Sequence, residues 1–95
     1  MYRFKWDETK NVANRHKHGI GFEEAAEVFD GPVLTRIDNR ANGEMREISF
    51  GFLGSGIVAV VVHTDRDGVI RIISARKATG QERIRFRAYL EKALG

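Results

Sequence analysis

The sequence contains no cysteine, which excludes disulfide staples, thiolate nucleophiles and cysteine metal ligands. The same absence fits a reducing compartment. No apolar core of a signal peptide follows the start, which reads Met1-Tyr2-Arg3-Phe4-Lys5-Trp6-Asp7. The longest apolar run, Ile57 to Val62, is far too short to span a bilayer. No internal repeat, low-complexity tract or long linker is present. The expectation is a soluble, cytoplasmic protein with no membrane association. With one proline, 42% hydrophobic and 31% charged residues, the composition is globular rather than disordered. A length of 95 residues leaves room for one core, so residues 1–95 are read as a single domain of modest stability.

Charge is unevenly placed. Residues 1–65 hold 8 Lys/Arg against 10 Asp/Glu, whereas residues 66–95 hold 8 against 3. A basic C-terminal third suits a polyanion or an acidic protein partner, although it also describes an ordinary solvated surface.

The pattern of residues gives the elements. Tyr2 to Lys5 reads as a short edge strand. Asp7 caps a helix running to about His18, and Gly19 supplies a left-handed stop. Phe22, Ala25, Ala26 and Phe29 form a helical stripe that Gly31-Pro32 ends. Val33 to Asp38 reads as a strand and Asn39 to Gly43 as a turn. In Met45 to Leu53, Ile48, Phe50 and Phe52 alternate with Glu47, Ser49 and Gly51, a half-buried strand. After the Gly54-Ser55-Gly56 turn, Ile57 to Val62 reads as a central strand covered on both faces. Asp67-Gly68 is a hairpin signal before the strand Val69 to Lys77. Thr79 with Glu82 has capping-box form, opening a helix whose stripe is Phe86, Tyr89, Leu90, Ala93 and Leu94. The fold class is therefore α+β: two N-terminal helices, an antiparallel sheet of about four strands and one C-terminal helix.

These residues resemble the BrnT toxin family over nearly the whole chain. The first block is Phe4-Lys5-Trp6-Asp7, Lys10, Asn14 and Lys17-His18-Gly19-Ile20, continued by Phe22, Glu24, Ala25 and Val28-Phe29-Asp30. The second is Glu44-Met45-Arg46 with Gly51. The third is Arg71-Ile72-Ile73-Ser74-Ala75-Arg76, then Ala78, Glu82 and Tyr89. The loop Asn39-Arg40-Ala41-Asn42 aligns with nothing in the family. The resemblance implies a RelE-like fold, cleavage of RNA and arrest of translation. It also implies a BrnA-like antitoxin that carries a DNA-binding domain, forms a heterotetramer with the toxin and alone contacts operator DNA.

Metal-free RNA cleavage needs a base for the 2′-OH proton, cations for the phosphorane and an acid for the leaving 5′-oxygen. Arg46, Arg71 and Arg76 are the candidate cations. By simple alternation, Arg46 shares a face with Ile48, Phe50 and Phe52. Arg71 shares one with Val69, Ile73 and Ala75, and Arg76 follows Ile70, Ile72 and Ser74. A guanidinium ending an apolar face either lines a site or sits in an ion pair, for example Arg46 with Glu44 or Glu82. Glu44 and His63 are the acid–base candidates, although a lone histidine at a strand end is more often a hydrogen-bonded structural residue. Arg66, Lys77, Arg83 and Arg87 are candidate RNA contacts. His16 and His18, two apart on a helix, point to different sides and cannot chelate. No metal and no cofactor is expected. The alternative is a non-catalytic module that docks an antitoxin or nucleic acid through its basic face.

Overall fold

Asp7 does cap the first helix: its side chain accepts from the Lys10 N–H at 3.2 Å in a computed structural model that describes residues 2–38 and 45–95. That helix, α1 (Glu8–His18), stops at Gly19, whose φ of +75° is a left-handed backbone that a side chain would strain. The short helix α2 (Phe22–Ala25) and a 3-10 segment (Ala26–Asp30) follow. The strands are β1 (Arg3–Lys5), β2 (Val33–Asp38), β3 (Arg46–Phe52), β4 (Val58–Arg66) and β5 (Val69–Lys77), and α3 (Gly80–Leu94) closes the chain. Thr79 and Glu82 form the expected capping box at its start. Among the described residues, no helix is long and apolar enough to cross a membrane.

The strands form one five-stranded sheet in the order β1-β5-β4-β3-β2. The expectation of about four antiparallel strands is corrected in two ways. The N-terminal segment joins the sheet as a fifth strand, and it runs parallel to β5, Phe4 lying against Ile70. The expected turn Asn39–Gly43 lies outside the described residues.

Each sheet face has its own core. On one, Ile20, Phe22, Ala25, Val28 and Phe29 pack on Ala59, Val61, Ile70, Ile72 and Ala75. Two asparagines hold the helices there. Asn11 accepts from the Phe22 N–H at 2.7 Å. Asn14 donates to the Ala75 carbonyl at 2.8 Å and accepts from the Ala75 N–H at 3.2 Å. The second pair has a clear cause. β1 covers β5 only from Val69 to Arg71, so the outer edge at Ala75 would otherwise be an unpaired sheet edge. Gly51 lets the 3-10 segment approach the sheet, since a Cβ there would lie 2.7 Å from Val28 Cγ1.

On the other face, α3 sets Phe86 against Phe50, Val58, Val60 and Ala78, with Leu90 and Phe52 beside it. Burying Phe86 contributes about 2–3 kcal/mol. Tyr89 stacks on Phe86 but stays 37% exposed, so the apolar stripe of α3 is narrower than its sequence suggests. α3 covers only the Phe52–Val58 end of this face. Toward the β4–β5 turn, among the described residues, no helix covers this face.

Candidate functional site

Strand register decides which charges share the open face. Arg46 precedes Glu47, which pairs with His63, so Arg46 lies across from Thr64, and Thr64 pairs with Arg71. Lys5 continues the row beyond Arg71, and Asp38 ends it beyond Arg46. Arg46 and Arg71 thus flank Thr64 across β3, β4 and β5, about 10 Å apart at the backbone. Below them, the half-buried Ile48, Val62 and Ser74 form the floor.

A β-bulge puts Arg76 on this face too. Val62 pairs with Ser74 but His63 pairs with Ile72, which leaves Ile73 as an extra residue in β5. Five positions of plain alternation would set Arg71 and Arg76 on opposite faces. The extra residue inverts the phase, so Ala75 joins Ile70 and Ile72 in the core while Arg71, Ser74 and Arg76 share the open side. The grouping of Arg71 with Ile73 and Ala75, and of Arg76 with Ile70 and Ile72, is corrected accordingly.

The three arginines differ in environment. Arg76 forms a two-pronged ion pair with Glu82 at 2.8 and 2.9 Å. The bond from Arg76 holds the Glu82 carboxyl down to about 2 and raises Arg76 in return. Arg71 is exposed and, among the described residues, has no ion pair. Arg46 is half-buried, and its Nε is buried with no hydrogen-bond partner among the described residues. Stranding a guanidinium N–H in this way costs stability and is a common mark of a group kept for a ligand. Glu82, the expected partner of Arg46, pairs with Arg76 instead.

His63 is not part of this constellation. It lies on the opposite face, 2% exposed, with Nε2 2.6 Å from Ser49 Oγ and Phe29 edge-on to its ring at 5.0 Å. Ser49 Oγ is in turn 2.8 Å from Thr35 Oγ1. Burial pushes the His63 pKa down, against the pull of Asp65. The sheet separates this imidazole from the arginines, and its Nδ1 is buried with no hydrogen-bond partner among the described residues. Glu44 lies outside the described residues.

Of the candidate RNA contacts, Arg66 shares the open face at the end of β4. Lys77 pairs with Ala59 and so falls on the other face, at its rim. Arg83 and Arg87 are exposed on α3, where Arg83 donates to the Ala78 carbonyl at 3.3 Å. Sequence reasoning missed Arg36, which lines a cleft of about 90 Å³ between β2 and α3 that Arg85 also lines. Only register and helix placement bring those two together. Among the described residues, no three His, Asp or Glu side chains gather where they could hold a metal ion.

Comparison with curated protein sequences finds no match. Among solved structures, the fold is similar to the crystal structure of the Brucella abortus ribonuclease toxin BrnT, with a TM-score of 0.62 and 23% identity. The likeness covers 83% of this chain and 99% of that one, and at this identity it speaks for the fold alone. Residues 6–82 match the family described as ribonuclease toxin, BrnT, of type II toxin–antitoxin systems. That span takes in Arg46, Arg71, Arg76 and Glu82, and the chain belongs to the BrnT family of ribonuclease toxins of type II toxin–antitoxin systems.

Proposed function

We propose that this toxin is a metal-independent endoribonuclease, acting in the cytoplasm, that cleaves RNA on the open sheet face and so arrests translation. The observation that carries the reading is the row Arg46–Thr64–Arg71, two cations without ion pairs among the described residues, at the end of the sheet face away from α3. In the reaction the RNA 2′-oxygen attacks the adjacent phosphorus and the 5′-oxygen leaves. The products are a 2′,3′-cyclic phosphate and a free 5′-hydroxyl, the leaving 5′-oxygen taking its proton from solvent. Arg46 and Arg71 stabilise the extra negative charge of the phosphorane, a role that is strongest at the transition state. Glu44, two residues before Arg46 in sequence, is the proposed acceptor of the 2′-OH proton. Arg76 belongs to the same face but is committed to Glu82, and its proposed role is to hold α3 at the edge of the site. His63 supports β3 against β4 and does not touch RNA.

The reading extends to a single domain of RelE-like kind and to a BrnA-like antitoxin with a DNA-binding domain. Toxin and antitoxin form a heterotetramer that reaches operator DNA through the antitoxin. Expressed without its antitoxin, the chain arrests growth with loss of intact RNA. Purified protein cleaves RNA in excess EDTA and leaves cyclic phosphate ends. Soluble protein that leaves RNA intact would sink the reading and favour a non-catalytic binding module. Activity lost in EDTA and restored by a divalent ion would sink its metal-free mechanism.

A further inference from the structure

Beside Arg71 the open face deepens into a cavity of about 490 Å³, lined by Lys5, Thr64, Arg66, Asp67, Val69 and Arg71. Its size is that of a small-ligand site. Three elements build it. β1 brings Lys5 alongside Arg71 through the parallel pairing, and β4 brings Arg66 opposite Val69. The Asp67-Gly68 turn, with φ of +53° and +78°, folds β4 back on β5 tightly enough to keep these side chains together. Arg3, opposite Val69, adds another exposed cation on this face.

Three cations thus face one carboxylate, Asp67, and among the described residues none of the three has an ion pair. Asp65 does not offset them, because it pairs with Ile70 and so belongs to the opposite face. Like charges gathered without counter-charges repel, and an incoming anion relieves the repulsion. Thr64, only 6% exposed, adds a hydroxyl-bearing side chain to the lining. No aromatic ring lines the cavity, so it has no platform on which a base could stack.

We infer that this cavity is a second phosphate subsite, holding the RNA backbone one step along from the phosphate that Arg46 and Arg71 act on. The inference rests on the ribonuclease reading and adds Lys5 and Arg66 as residues that fix the register of the strand. Contacts of this kind position RNA without reading its sequence. The cavity therefore strengthens binding and sets where the strand lies, while base preference arises elsewhere.

The test uses Lys5→Gln and Arg66→Gln in the full chain, with Lys10→Gln on α1 as a control outside the face. Binding is followed by fluorescence anisotropy with an all-2′-O-methyl oligoribonucleotide, which cannot be cleaved because its attacking hydroxyl is blocked. Titrations run over roughly 50–200 mM salt, where counterion release dominates affinity. Each pocket variant should lower the slope of log K against log salt by about 0.7, the value for one phosphate contact on a single strand. At about 0.1 M salt that slope corresponds to roughly fivefold weaker binding. On cleavable RNA the same variants should raise KM by a similar factor with kcat unchanged, whereas Arg46→Gln lowers kcat. Lys10→Gln should leave the slope untouched. Unchanged slopes in both pocket variants, with wild-type cleavage intact, would overturn the subsite. So would unchanged slopes with weakened co-purification of the antitoxin, which would assign the cavity to the protein partner. A wild-type protein that cleaves no RNA would instead overturn the ribonuclease reading, and the binding slopes would still decide the subsite.

Discussion

Replacing each of the three arginines should separate scaffold from chemistry, because their surroundings differ so sharply. Arg76 and Glu82 make paired hydrogen bonds at 2.8 and 2.9 Å, and Glu82 Oε1 also accepts from the Thr79 N–H at 2.8 Å. The Glu82 carboxyl drops from 4.5 to about 2, which by linkage corresponds to ~3 kcal/mol if nothing screened it. The Arg76 side chain is 43% exposed and that of Glu82 is 24% exposed, so solvent reduces the contribution to ~1–1.5 kcal/mol. For a domain of this size, Arg76→Ala should therefore lower Tm by about 5–10 °C near neutral pH. A carboxyl depressed on folding stabilises fully above its ordinary value of 4.5, and that contribution is lost as pH falls toward 2. The gap in Tm between Arg76→Ala and wild type should close over the same interval. Arg71, exposed and unpaired among the described residues, should tolerate alanine within about 0.5 kcal/mol. Arg46→Met should hold or raise Tm, since it removes a buried N–H without a partner. Both substitutions should nevertheless slow single-turnover cleavage by about 100-fold, the scale of one transition-state donor worth ~3 kcal/mol. Melting curves and single-turnover rates on the same samples decide the matter. If Arg71→Ala melts as far below wild type as Arg76→Ala while its folded fraction cleaves normally, the assignment of Arg71 to the reaction is refuted.

Three further outcomes follow from the packing. Gly51→Ala should destabilise by about 1–3 kcal/mol, read by urea denaturation, because its Cβ would meet Val28 Cγ1 at 2.7 Å and the Val28 carbonyl at 3.1 Å. Asn14→Leu should cost about 1–3 kcal/mol and speed amide exchange at Ala75, whose backbone N–H and carbonyl lose their partner. His63 should make folding sensitive to mild acid. Its depressed folded value means that stability present above its ordinary 6.5 is lost as pH falls from there through the folded value, and His63→Leu should flatten that part of the curve without abolishing cleavage.

Much of the local structure was written in short stretches of sequence. Asp7 and Gly19 bound α1, Thr79 and Glu82 start α3, and Asp67-Gly68 turns β4 into β5, because capping and turn formation depend on residues within a few positions of each other. Strand alternation in β3 likewise placed Arg46 beside Ile48 correctly. The candidate arginines could be named from the sequence, but their common face could not. That grouping depends on the extra residue Ile73 in β5, and the shift exists only in how β5 pairs with β4, so nothing in either strand alone announces it. The parallel addition of β1, which carries Lys5 to Arg71, joins residues more than sixty positions apart and is likewise a product of tertiary packing. His63 makes the same point in reverse. Its chemistry qualified it as an acid–base group, yet the parity of β4 turns it into the core with Phe29 and Ser49, on the side of the sheet away from the cations.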